Sequence, residues 1–133
     1  MTPEKQRIAI AEACGWKQDW RNVGANHEKV EVWLDPDLGV WTTRLNDGWF
    51  PMPDYVNDRN AMANAEKSLL DNQELINQNF ENLVLIVSGK PVTTFRHGTK
   101  EEFFSLLLAV SGSTAAQRAE AFLRTIGKWE TTD

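Results

Sequence analysis

Apolar positions along the 133-residue chain change period several times, and each change predicts an element. Thr2-Pro3-Glu4 opens a helix: a hydroxyl cap, a proline at the first helical position, and an acid near the positive helix end. Ile8, Ile10, Ala11 and Cys14 follow on its apolar side, and Gly15 ends it. The periodicity breaks from Trp16 to Gly24. The stretch "KVEVWLDPDLGVWTTRL" then alternates, with Val30, Val32 and Leu34 on one face and Glu31 and Trp33 on the other. Turn residues Asp35 to Gly39 sit between its halves, so a β-hairpin is expected, followed by a second turn at Asn46-Asp47-Gly48. From Asp54, taken as a cap, Tyr55, Met62, Ala65 and Leu69 keep helical spacing. Asp71 and Glu74 read as a capping box for the next helix, after a sharp corner near Asp71. Its apolar face is Leu75, Ile76, Phe80, Leu83, Val84 and Val87, and Gly89 stops it.

The segment from Pro91 through Phe95 reads as turn and extended chain. Phe103 to Val110 is an apolar run that fits either a buried central strand or a helix capped by Thr99 and Glu102. The strand is preferred, because the next helix begins so soon after it. That last helix is capped by Ser113 or Thr114, with Gln117 completing a box. Ala115, Ala119, Phe122, Leu123 and Ile126 face inward, Gly127 stops the helix, and Trp129 folds back onto it. The sum is a single α+β domain over residues 1–133: a three-layer α–β–α sandwich with a small, mostly antiparallel sheet covered by helices.

Charge narrows the jobs. The net charge is −5, with Lys and Arg scattered, which disfavours a nucleic-acid surface. No apolar run reaches membrane-spanning length, so no membrane partner is expected. The opening "MTPEKQRIAIAEACGW" carries charges where a secretion leader needs an apolar run. With Cys14 the single cysteine, the expectation is a cytosolic protein.

Candidate chemistry is sparse. Cys14, on an apolar helix face, reads as a small core residue and not a reactive thiol. His27, Glu28 and Glu31 lack the four convergent ligands of structural zinc, and Asp35 and Asp37 are explained by the turn, so no metal or cofactor is expected. "GKPVTT" lacks the glycine spacing of a phosphate loop. Two features remain. Asn57, Asn60 and Asn64 form a polar stripe that costs helix propensity. Five of the six tryptophans precede residue 50, near Arg21 and Arg44. Indole faces beside guanidinium groups suit a planar anion.

Three segments, "TPEKQRIAIAEACGW", "PDYVNDRNAMANAEKSL" and "STAAQRAEAFLRTIGKW", resemble the phage ABA sandwich domain family, small proteins of phages and prophages. The resemblance implies the three-layer arrangement and a phage accessory role in the host cytoplasm. The family often carries a His and an acid where this chain has Ala63 and Asn64, so no role passes to those positions. It also supplies no catalytic motif. The leading expectation is a non-enzymatic protein that binds and sequesters a small nucleotide-like signal, possible as a homo-oligomer. Its wall would be Trp20, Trp41, Arg44, Trp49, Tyr55, Asn57 and Arg96: rings to stack on a base, Arg44 or Arg96 to pair phosphate, and Asn57 to read polar edges. The alternatives are a module that grips a host or phage protein through aromatics around the hairpin, and a small nucleotide-cleaving enzyme using His97 or His27.

Overall fold

A computed structural model describes residues 1–23, 28–36, 39, 41–42 and 52–131. Helix α1 (Pro3–Ala13) begins where the sequence says, with the Thr2 hydroxyl accepting from the Lys5 N–H at 3.3 Å. Cys14 caps its other end, and Gly15 follows at φ +98°, a backbone that only glycine adopts without strain. The chain reverses there into β1 (Lys17–Val23), which pairs antiparallel with β2 (Glu28–Leu34) in register Lys17 to Leu34 through Val23 to Glu28. On the other side of β2 lies β3 (Trp41–Thr42), pairing Trp33 with Thr42 and Leu34 with Trp41.

The rest is helical: α2 (Arg59–Glu66) running into one 3-10 turn (Lys67–Leu69), α3 (Gln73–Ser88), α4 (Thr93–Arg96), α5 (Lys100–Ser111) and α6 (Ala115–Thr125). The three-layer sandwich expected from the sequence is therefore overturned. The described chain is mostly helical, and its sheet is one antiparallel hairpin carrying a two-residue third strand. Phe103–Val110, expected as the central strand, lies inside α5. Thr99 accepts from the Glu102 N–H at 3.1 Å, so the cap decides the conformation. The run is leucine-rich, with one β-branched residue, Val110, at its end, and Leu and Ala are good helix formers. A small mixture of helix and sheet survives from the expected class; the central sheet does not.

Smaller shifts have local causes. Asp58, not Asp54, caps α2, accepting from Asn60 and Ala61 N–H groups at 2.9 and 3.3 Å. Asp54 instead closes a turn before the helix, and Asn57 Nδ2 donates to its carboxylate at 3.0 Å. Asn72 replaces Asp71 as the cap of α3. Residues 93–96, expected extended, make the short helix α4.

α6 sits at the centre. Its capping box forms, with Gln117 N donating to Thr114 Oγ1 at 3.1 Å and Thr114 N to Gln117 Oε1 at 2.9 Å. Ala119, Phe122 and Leu123 are wholly enclosed, and α1, α2 and α3 all bear on this helix. Trp33 brings β2 into the same core, with Ile10, Trp16, Met52, Tyr55, Met62 and Leu69. A polar ladder registers three helices. Arg118 of α6 pairs with Glu66 of α2 at 2.6 Å, and Asn79 of α3 donates to the same carboxylate at 3.3 Å. Asn82 of α3 donates to Thr125 of α6 at 3.0 Å. Arg124 lies over the Trp129 ring at 5.4 Å, holding the chain end back against α6. No helix among the described residues is long and apolar enough to cross a membrane.

Emptying the centre has a stated cost. Phe122→Ala is expected to lower stability by about 3–5 kcal/mol, and Thr114→Ala, which removes only the α6 cap, by about 1 kcal/mol. Urea unfolding followed by circular dichroism measures both, and equal losses would contradict the central placement of α6.

Candidate functional site

Small residues on one face of α2 leave space beside the core. Ala61, Asn64, Ala65 and Ser68 recur at helical spacing and line a cleft of about 520 Å³. The opposite side comes from Cys14 and Trp16 at the end of α1, and from Asp35 and Pro36 just after β2. Pro53, Tyr55 and Lys67 complete it. The turn after β2 lies close over the end of α1: a Cβ on Gly15 would come within 3.3 Å of the Pro36 Cβ. A larger residue at position 15 would push Pro36 and Asp35 away from the helix.

Arg7 fixes the other wall. This arginine is buried on α1, and its Nε donates to the Pro53 carbonyl at 2.8 Å while Nη2 donates to the Met52 carbonyl. Burial lowers its pKa, and nearby Asp54 and Tyr55 work against that loss. The clasp holds residues 52–54 against α1 and so delivers Tyr55 to the cleft floor. Tyr55 is only 3% exposed. Its oxygen accepts the Trp16 indole N–H and is hydrogen-bonded to the Cys14 thiol. Burial raises the phenol pKa well above its ordinary value, with the charges of Cys14 and Asp35 adding to the rise and the Trp16 bond opposing it. Trp16, 6% exposed, likewise shows the cleft little more than an edge.

The polar groups collect at the rim. Asn64 and Lys67 are exposed, and the Ser68 hydroxyl donates to the Ala65 carbonyl at 2.7 Å, keeping its lone pairs for an incoming donor. Lys67 supplies a positive charge and Asp35 a negative one on different elements of the lining. Among the described residues no group of three His, Cys, Asp or Glu side chains could hold a metal.

The wall drawn from the sequence is placed as follows. Tyr55 lines the cleft, at its floor. Trp20 is 59% exposed on β1 and outside the lining. Asn57 is exposed and held by Asp54, and Asn60 also stays outside, so Asn64 is the one member of the stripe that reaches the cleft. Arg96 ends α4, exposed and away from the lining. Arg44, Trp49 and the side chain of Trp41 lie outside the described residues, as does His27; His97 is exposed after α4 and is not part of the lining. Trp16, Asp35, Lys67 and Ser68 were missed as site residues. The readable signal was the alternation of alanine with hydrogen-bonding residues at positions 61, 64, 65 and 68, a face too small-chained to fill a core and too apolar for a wet surface. The chain matches no family model, no curated protein and no solved structure.

Tyr55 is the single tyrosine, so its ionisation is read without interference. Its folded pKa is raised, so the unfolded chain gives up the proton first. The stabilising contribution is intact below the ordinary phenol value of 10.0 and is lost as pH climbs from there towards the raised value. Tyrosinate absorbance should therefore rise together with unfolding, not before it. A phenol that titrates near 10.0 while the fold persists would show that Tyr55 is not enclosed.

Proposed function

We propose that the protein binds a small nucleotide-like molecule in this cleft and withholds it, unchanged, from other users. The observation that supports this is the meeting of a hydrogen-bonding rim, Asn64, Ser68, Lys67 and Asp35, with an aromatic and proline wall in a recess of about 520 Å³. That volume is in the range of small-molecule sites, which pair apolar walls with few polar anchors. Each anchor suits one part of a nucleotide. Lys67 pairs with a phosphate as a point charge. The Asn64 amide both donates and accepts, matching a base edge. Asp35 accepts from exocyclic amino or ring N–H groups. Pro36 and Pro53 offer an apolar surface, backed by the enclosed rings of Trp16 and Tyr55.

Holding, not cleaving, fits the floor chemistry. The Tyr55 phenol stays protonated, so it does not serve as a base for the Cys14 thiol beside it. Retention without turnover is what a phage accessory protein needs in order to silence a nucleotide signal inside the host cytoplasm, and we place the protein in that role.

Isothermal titration against cyclic dinucleotides, mononucleotides and ADP-ribose should give heat for at least one class. Lys67→Ala should weaken that binding by about tenfold, or about 1.4 kcal/mol. Chromatography of the bound fraction should return the ligand intact. Absence of heat across the panel sinks the binding proposal, and a converted ligand replaces holding with catalysis.

A further inference from the structure

Helix α5 is apolar on two sides, and the fold covers one of them. Leu106 is buried and Val110 half-buried on the side towards the body. On the other side Phe103, Phe104, Leu107 and Leu108 stand 51, 62, 43 and 59% exposed. Positions 103, 104, 107, 108 and 111 share one face at the spacing that helix–helix seams use. An apolar stripe this wide on a helix calls for cover on its exposed side as well. We propose that this face is the interface of a two-fold homodimer in which α5 packs antiparallel against its own copy.

Area argues for a second copy. Roughly half of four large side chains is on the order of 400 Å² of apolar surface per chain. A standard interface buries about 800 Å² per partner, of which a little over half is apolar. The face therefore supplies about the apolar share that a stable dimer needs, and the surrounding polar rim supplies the remainder. It also suits an isologous contact, since one patch serves both partners.

Charge fixes the partner and the direction. Glu101 and Glu102 stand at the start of α5, and Ser111 at its end carries no charge. Beside that end, exposed Arg59 donates from Nη2 to the Ser111 carbonyl at 2.7 Å. An antiparallel copy brings its Glu101, which shares the helix edge of Phe104 and Leu108, to this Arg59, twice over by symmetry, and opposes the two helix dipoles. A parallel copy would set glutamates against glutamates. An anionic membrane fits less well: the face carries Lys100 at one end and no belt of cations, on a chain of net charge −5.

Sedimentation velocity across the micromolar range tests this. Twice the mass of one chain is expected. Leu108→Glu, at an exposed position that leaves the helix body intact, should weaken the dimer by about a hundredfold, with unchanged circular dichroism. Glu101→Arg should weaken it by about tenfold, and adding Arg59→Glu should restore it. A monomer throughout that range overturns the proposal. So does a dimer indifferent to Leu108→Glu, or a monomer that takes up anionic vesicles through this face. None of these outcomes touches the cleft, whose binding is read separately by titration.

Discussion

Burial of the inward face of α6 is the constraint on which the other placements depend. Ala119, Phe122 and Leu123 have no contact with water, and α1, α2 and α3 each meet this helix. Alanines at 115, 119 and 121 let the neighbours approach closely, while Phe122 fills the volume between them. Close packing around one rigid helix then leaves few orientations for the rest. The Glu66–Arg118 pair and the Asn79, Asn82 and Thr125 contacts select among them, because a slipped helix would strand these groups without partners.

The cleft is a consequence of what that core leaves over. Met62 faces the core from α2, and Ala61 and Ala65, also largely buried, offer too little side chain to close the far side. Arg7 then sets how wide the gap remains. Its guanidinium satisfies two consecutive carbonyls, of Met52 and Pro53, and so positions Tyr55 under Trp16 and Cys14. Polar satisfaction in the middle of α1 thereby shapes a recess at the C-terminal end of the same helix.

Legibility followed how local the determining signal was. The caps at Thr2 and Thr114 were plain, because a hydroxyl, three residues and an apolar stripe lie within one turn. The Gly15 and Gly89 stops were plain for the same reason. β1 was missed: Lys17, Gln18, Asp19 and Trp20 are all exposed, so this edge strand carries no alternation, and backbone pairing to β2 defines it. The cleft was half legible. Its α2 face is a local pattern, but the approach of Asp35 and Pro36 to Gly15 depends on two distant segments meeting. Tyr55 was read as a site residue for its ring, and the enclosure that keeps its phenol protonated comes from Trp16 and Cys14, forty residues away in sequence.

The misreading of α5 and its exposed face have one cause. A run such as Phe-Phe-Ser-Leu-Leu-Leu-Ala-Val contains no polar side to mark helical period, and continuous apolarity is also what a strand covered on both faces shows. Apolar residues all round call for cover all round, whichever backbone carries them. The sequence read as a strand was assigned that cover within the chain, from helices on either side. Thr99 makes it a helix, and then the described chain packs α3 against it and buries Leu106, while Phe103, Phe104, Leu107 and Leu108 stay exposed. The demand that suggested a central sheet is thus still present in the folded molecule, and the proposed second α5 would meet it.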